Sequence, residues 1–168
     1  DLARIDAKEF QMNMEFHDPI ILIEESIEDM KFFFEQRNIK IHKSFLKNIK
    51  LKVDDFKIKQ VLTNILSNAI KNSPDGSTIY IRMAKNESHL MISVKDEGIG
   101  ITKDEMKNLF QRFKKIERNG LDYIKNKQGT GLGLYIAKQI IRKHKGEIYA
   151  ESEGRNKGAT FKVKLPLP

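Results

Sequence analysis

Gly129-Thr130-Gly131-Leu132-Gly133-Leu134 places three glycines at alternate positions directly before the apolar-periodic run Leu134 to His144. The combination reads as a phosphate cradle opening a helix. Glycine lets successive amides turn toward a ligand without interference from a Cβ. The helix that follows adds unsatisfied N–H groups and the positive end of its dipole, so an anion is favoured there. Taken alone, the stretch fits a flexible loop before a helix equally well.

Three further elements bear on the choice. In Gln60-Val61-Leu62-Thr63-Asn64-Ile65-Leu66-Ser67-Asn68-Ala69-Ile70-Lys71, the apolar residues Ile58, Val61, Leu62, Ile65 and Ala69 recur at spacings of three and four, and Asp54 or Asp55 is placed to cap the helix. Gln60, Asn64, Asn68 and Lys71 form a second stripe, so two amides and an ammonium can converge on one ligand beside the core. A solvated helix face is the plain alternative, yet asparagine is a mediocre helix former and two in register need a reason. Next, Asp96-Glu97-Gly98-Ile99-Gly100 follows the alternating strand pattern Leu90, Ile92, Val94; a carboxylate at a strand end before two glycines suits close approach by a flat ligand, or is an ordinary strand exit. Last, Gly158-Ala159-Thr160-Phe161 puts a glycine before the final strand.

In chain order these pieces resemble the N box, the two glycine-rich boxes and the last-glycine box of the ATP-binding catalytic domain of sensor histidine kinases, within the superfamily that includes gyrase, Hsp90 and the MutL mismatch-repair proteins. Phe110-Gln111-Arg112-Phe113 resembles the F box between them. The resemblance covers nearly the whole chain. It implies ATP and Mg²⁺ as cofactors and a role for each matching residue. Asp96 would accept a hydrogen bond from the adenine amine, with Gly98 and Gly100 beside it; Asn68 would supply an amide oxygen to magnesium, with Asn64 one turn earlier near the phosphates. Lys71 would neutralise phosphate charge, and Arg112 or a lid lysine would serve the γ-phosphate. The amides of Gly129, Thr130, Gly131, Leu132, Gly133 and Leu134 would hold the phosphates, and Thr160 would complete the nucleotide site. One departure is Asn72, where the family often has an aromatic or histidine beside the adenine.

The same helix separates relatives. Gyrase, Hsp90 and MutL-type ATPases carry a glutamate one turn before the metal asparagine, where it activates water. Asn64 stands there in this chain and cannot act as a base near neutral pH. Phosphoryl transfer to a protein side chain is therefore the expected reaction, with this domain supplying positioning and charge neutralisation. The acceptor is expected elsewhere. His17-Asp18-Pro19 mimics a donor-histidine motif, but Pro19 starts a helix and leaves His17 at a strand end. His42 and His89 lie in strand patterns, and His144 ends a helix, where a cation suits the dipole. The expected partners are the chain's own dimerisation and phosphoacceptor domain and, downstream, a response regulator receiver domain. An anti-sigma-type serine kinase or a non-catalytic nucleotide-binding module are the alternatives.

Composition bounds the rest. With 168 residues and 39% hydrophobic, the chain has room for one cored domain. There is no cysteine, which excludes disulfides, thiol catalysis and cysteine metal sites. No apolar run approaches a membrane span, so a soluble, cytoplasmic, monomeric segment without membrane insertion is expected, whatever anchors its parent. The net charge of +8 invites nucleic acid, but the lysines are spread along the chain, with no base-reading helix or stacking platform, so no nucleic-acid partner is expected.

The expected order is β-α-β-β-α-β-β, a long loop, then α-β-β. Strands fall at Gln11 to Phe16, Ile39 to Phe45, Leu51 to Val53, Ser77 to Ala84, His89 to Lys95, Gly146 to Glu151 and Ala159 to Leu165. A helix starts at Pro19 with Ile20, Ile23, Ile27, Met30 and Phe34 inward, and another covers Leu132 to Lys143. Segregated helices over a mixed, largely antiparallel five-stranded sheet make an α/β two-layer sandwich, the Bergerat ATP-binding fold of the resembling family. Residues 1–10 resemble the tail of a dimerisation helix, with the ATP-binding domain over 11–168. The segment at about 101–128 is the expected lid, with Phe110 and Phe113 as core anchors and a low opening free energy until ATP binds.

Overall fold

The computed structural model describes residues 10–114 and 131–168. Among them are strands β1 (Glu15–His17), β2 (Lys40–Ser44), β3 (Leu51–Val53), β4 (Thr78–Lys85), β5 (His89–Asp96), β6 (Glu147–Glu151) and β7 (Ala159–Pro166). The helices are α1 (Pro19–Asp29), α2 (Lys31–Gln36), α3 (Asp55–Asn72), α4 (Lys103–Asn108) and α5 (Gly133–Lys143). Five strands form one sheet in the order β2-β4-β5-β7-β6, parallel only between β2 and β4. Strand alternation puts Ile79, Ile81, Met83, Leu90, Ile92, Val94, Phe161, Val163 and Leu165 on a buried face. The helices pack on that face, with α3 between α1 and α5; the expected two-layer α/β sandwich is the observed one. No described helix is long and apolar enough to cross a membrane.

Helix α3 carries two faces of opposite character. Ile58, Val61, Leu62, Ile65, Leu66, Ala69 and Ile70 are buried, whereas Asn64, Asn68 and Lys71 are partly exposed along its other edge. Of the two aspartates able to cap it, Asp54 does so, its Oδ1 accepting from the Lys57 amide at 3.0 Å. The helix stops at Ser73 because Pro74 drives the residue before it into extended backbone.

Two expected elements differ. The first strand covers three residues rather than Gln11 to Phe16, because its only partner, β3, is three residues long. The helix from Pro19 breaks at Met30 (φ −100°, ψ 1°), whose amide bonds back to Ile27, and resumes as α2. That break exposes Phe32 and Phe33, while Leu22, absent from the expected inward set, is buried.

His144 also departs from expectation. Its ring is 3% exposed; Nδ1 donates to the Ile140 carbonyl at 2.8 Å and Nε2 accepts the Asp54 amide at 3.0 Å. The ring is therefore a neutral acceptor tying the end of α5 to the start of α3, not a cation on a helix dipole. Burial lowers its pKa from the usual 6.5, with the Ile140 bond and the Asp54 charge pulling the other way. A lowered folded-state value means that its contribution is fully present above the unfolded value and is lost as the pH falls through the folded one. His144→Gln keeps an acceptor and removes the titration. Comparing chemical unfolding of the two chains between about pH 5 and pH 7.5 should show the variant losing less stability on acidification.

Candidate nucleotide site

Asp96, at the C-terminal end of β5, is 1% exposed. Its Oδ1 accepts amides from Gly98 (2.9 Å) and from Ala159 (3.3 Å), its register partner on β7. Oδ2 is buried with no hydrogen-bond partner among the described residues. Burial is the main cause that pushes the Asp96 carboxyl up from 3.8 to about 6, against the pull of those two amides.

The end of α3 closes over this carboxylate. The Asn72 carbonyl accepts the Ile99 amide at 3.1 Å, and a Cβ on Gly98 would lie 2.0 Å from that carbonyl oxygen. Only glycine lets the loop after Asp96 come this near the helix. Asn72 Oδ1 and, one turn earlier, Asn68 Nδ2 are likewise buried and unpartnered among the described residues. Leaving such groups unsatisfied costs roughly 1–3 kcal/mol each, so three of them, two on the last turns of α3 and one at the end of β5, point to a polar ligand that completes them.

Asn64 lies about two turns before Asn72 on α3. Its Nδ2 donates to the Gly133 carbonyl at 3.1 Å, joining α3 to the first residue of α5. The N-cap of α5, Leu132, offers no side-chain acceptor to the first-turn amides. Gly131 has φ +70°, and its carbonyl accepts the Phe113 amide at 2.9 Å; a Cβ there would come within 2.7 Å of the Phe113 backbone. Gly131, Leu132, Gly133 and Leu134 thus start α5 beside Asn64, while Gly129 and Thr130 lie outside the described residues. Arg112 is in contact with Tyr135 in the first turn of α5, its Nη2 donating to the hydroxyl at 2.9 Å. Lys71 is partly exposed in the last turn of α3.

Several expectations need correction. Thr160 follows Ala159 on β7, and strand alternation turns it to the open face opposite Lys95; the residue beside Asp96 is Ala159, through its amide. Phe110 is a core anchor, edge-on to Phe161 at 6.4 Å, but the Phe113 ring is 64% exposed. Within the described part of the lid, the six-residue α4 is fixed by a capping box between Thr102 and Glu105. The second half of the expected lid, residues 115–128, lies outside the described residues.

Sequence reasoning missed the turn between β6 and β7. Ser152 Oγ accepts the Ile101 amide at 3.0 Å and donates to the Gly158 carbonyl at 2.6 Å. Arg155 reaches the Gly100 carbonyl at 3.4 Å and Glu105 Oε1 at 2.5 Å. This turn holds Gly98 to Thr102 from behind. Nothing in its local pattern distinguishes Ser152 or Arg155 from solvated residues.

A bound ion has little to hold it apart from a ligand. Among the described residues no three His, Cys, Asp or Glu side chains gather as a metal site. A hard cation would rely on one amide, from Asn68, and on oxygens brought by a phosphate ligand and water.

Residues 53–168 match the family described as histidine kinase-, DNA gyrase B-, and HSP90-like ATPase. The chain is 38% identical over 173 residues to the sensor histidine kinase WalK of Bacillus subtilis, covering 98% of this chain and 27% of WalK. It is 35% identical to the sensor protein SrrB of Staphylococcus aureus, over 100% of this chain and 28% of SrrB. The chain thus spans about a quarter of the length of these relatives. Among solved structures, the nucleotide-free catalytic domain of the histidine kinase ThkA is similar with a TM-score of 0.79 and 26% identity, over 93% of this chain and 99% of that one. ThkA has also been solved in complex with the response regulator protein TrrA, a structure similar to this chain with a TM-score of 0.77 and 24% identity, over 96% of this chain and 44% of that one.

Proposed function

The chain belongs to the histidine kinase-, DNA gyrase B- and HSP90-like ATPase family as a catalytic domain of the sensor histidine kinase type, and from that premise we propose that it binds ATP with Mg²⁺ and delivers the γ-phosphoryl group to a histidine on the dimerisation domain of its parent protein. The observation that carries the reading is the set of unsatisfied polar atoms, Asp96 Oδ2, Asn72 Oδ1 and Asn68 Nδ2, on the same helix α3 whose Asn64 is bonded to the first residue of α5 or, for Asp96, beside its end.

Asp96 takes the adenine amine on its free oxygen, with Gly98 admitting the flat base. Asn72 Oδ1 offers a second acceptor within the same set, in place of the ring that other members put there. The first-turn amides of α5 hold the phosphates, Lys71 neutralises their charge, and Arg112 or a lid lysine serves the γ-phosphate. Mg²⁺, held by Asn68 and the phosphates, would supply further charge neutralisation between phosphate oxygens. The histidine nitrogen forms the new bond to phosphorus as the bond to the β-phosphate oxygen breaks and ADP leaves. Asn64 lacks a basic lone pair, so water is not activated in its place.

Residues 1–10 as the tail of a dimerisation helix, 11–168 as the ATP-binding domain and 101–128 as its lid complete the proposal, with a response regulator receiver domain as the downstream partner and the cytoplasm as the setting. The test is radiolabelled ATP, given to the chain alone and with the dimerisation helices of its parent added in trans. Alone, the chain should bind ATP and turn it over slowly at most. With the helices, label should appear at an acid-labile site on them. Label on His17 or another residue of this chain, acid-stable label on serine, or hydrolysis at the rate of a dedicated ATPase would overturn the reading.

A further inference from the structure

Resting on that nucleotide reading, we propose that Tyr135 is a positioning residue that holds the Arg112 guanidinium at the mouth of the phosphate cradle, so that Arg112, rather than a lysine farther along the lid, engages the γ-phosphate.

Among the described residues, a side-chain contact and a backbone contact fix Arg112 there. Its side chain lies against the Tyr135 ring, with Cζ 4.7 Å from the centroid and Nη2 donating to the hydroxyl at 2.9 Å. Its backbone is pinned by the next residue, since the Phe113 amide donates to the Gly131 carbonyl at 2.9 Å. Phe113 adopts φ 59°, a disfavoured conformation for a side chain that leaves its ring 64% exposed. Burial of that ring does not account for the turn; the bond to Gly131 holds it. Tyr135 is the third residue of α5, one turn at most from the amides that the N-cap leaves without a side-chain acceptor.

The chemistry suits an arginine and a tyrosine specifically. A guanidinium carries five N–H donors and Nη2 uses one of them on the hydroxyl, so contact with the ring and phosphate binding are compatible. A long side chain that must be ordered on binding loses rotamer freedom at that moment. One already held on a ring loses less, and the difference appears as affinity. Only the γ-phosphate depends on Arg112, so the benefit is confined to the triphosphate.

The experiment is calorimetric titration of ATP and of ADP, with magnesium present, into the wild-type chain, Tyr135→Phe, Tyr135→Leu, Arg112→Ala and the Arg112→Ala/Tyr135→Leu double variant. Tyr135→Leu should weaken ATP about tenfold and leave ADP unchanged; Tyr135→Phe, which keeps the aromatic ring beside the cation, should recover most of the loss. The double variant should bind ATP no worse than Arg112→Ala. Equal losses for ATP and ADP would mean that Tyr135 only shapes the cradle, and unchanged ATP affinity or fully additive losses would mean that it does not act through Arg112; each overturns the inference. A wild-type chain that bound neither nucleotide would fell the nucleotide reading together with this inference, a failure visible before any substitution is made.

Discussion

Asp96→Asn is expected to weaken ATP binding by roughly a hundredfold while leaving the nucleotide-free fold at least as stable as the wild type. The two effects have one origin. The ionised carboxylate sits in a site that pushes its pKa from 3.8 to about 6, a rise that corresponds to roughly 3 kcal/mol disfavouring the charged form near neutral pH. A neutral amide removes that cost, and its oxygen can still accept from Gly98 and Ala159 as Oδ1 does now. What it lacks is an acceptor where Oδ2 stands, and its NH₂ would face the adenine amine, donor against donor. GTP should fail against the wild type for the converse reason, since it would present a carbonyl to a carboxylate.

The pH dependence has opposite signs for folding and for binding. A raised folded-state value makes the nucleotide-free chain gain stability from Asp96 as the pH falls through about 6. ATP selects the carboxylate, so its affinity is present above about 6 and is lost below it. Titrations with ATP and GTP across that range, alongside thermal unfolding, check both. Equal affinity for the two nucleotides, or normal ATP binding by Asp96→Asn, would refute the role.

Asn68→Ala should remove the magnesium dependence of ATP binding, bringing affinity with metal down to the level without it, a loss of roughly ten- to a hundredfold. The described residues contain no acidic cluster that could hold the ion without a nucleotide. The wild-type chain should accordingly show no tight Mg²⁺ binding by calorimetry in the absence of ATP. The substitution also deletes a buried amide nitrogen that lacks a partner, so the nucleotide-free fold should not lose stability. Tight Mg²⁺ binding by the chain alone, or metal dependence that survives in Asn68→Ala, would remove Asn68 from the metal site.

Much of this was legible because the relevant signals are periodic or local. The apolar stripe of α3 and the asparagine stripe beside it both follow from a repeat of 3.6 residues, and the alternation in β5 and β7 from a repeat of two. The glycine runs announce backbone that must come close to something. The same two-residue repeat separates Thr160 from the site: the alternation that makes Phe161 inward makes its neighbour outward.

The chain's residue order by itself determined that α3 has a polar edge carrying Asn64 and Asn68, that Asp96 ends a strand before two glycines, and that glycines precede α5. Only the tertiary structure decided what these face. Asp96 lost its water because β7 and the end of α3 close over it, His144 became a neutral acceptor because the start of α3 lies against the end of α5, and Arg112 met Tyr135 because Phe113 pairs with Gly131. Each of these contacts joins residues 18 to 90 positions apart, 63, 90, 23 and 18 respectively, and no local pattern records a partner at such a distance. Burial, and with it the strength and sign of every electrostatic effect in the site, is a property of the assembled layers.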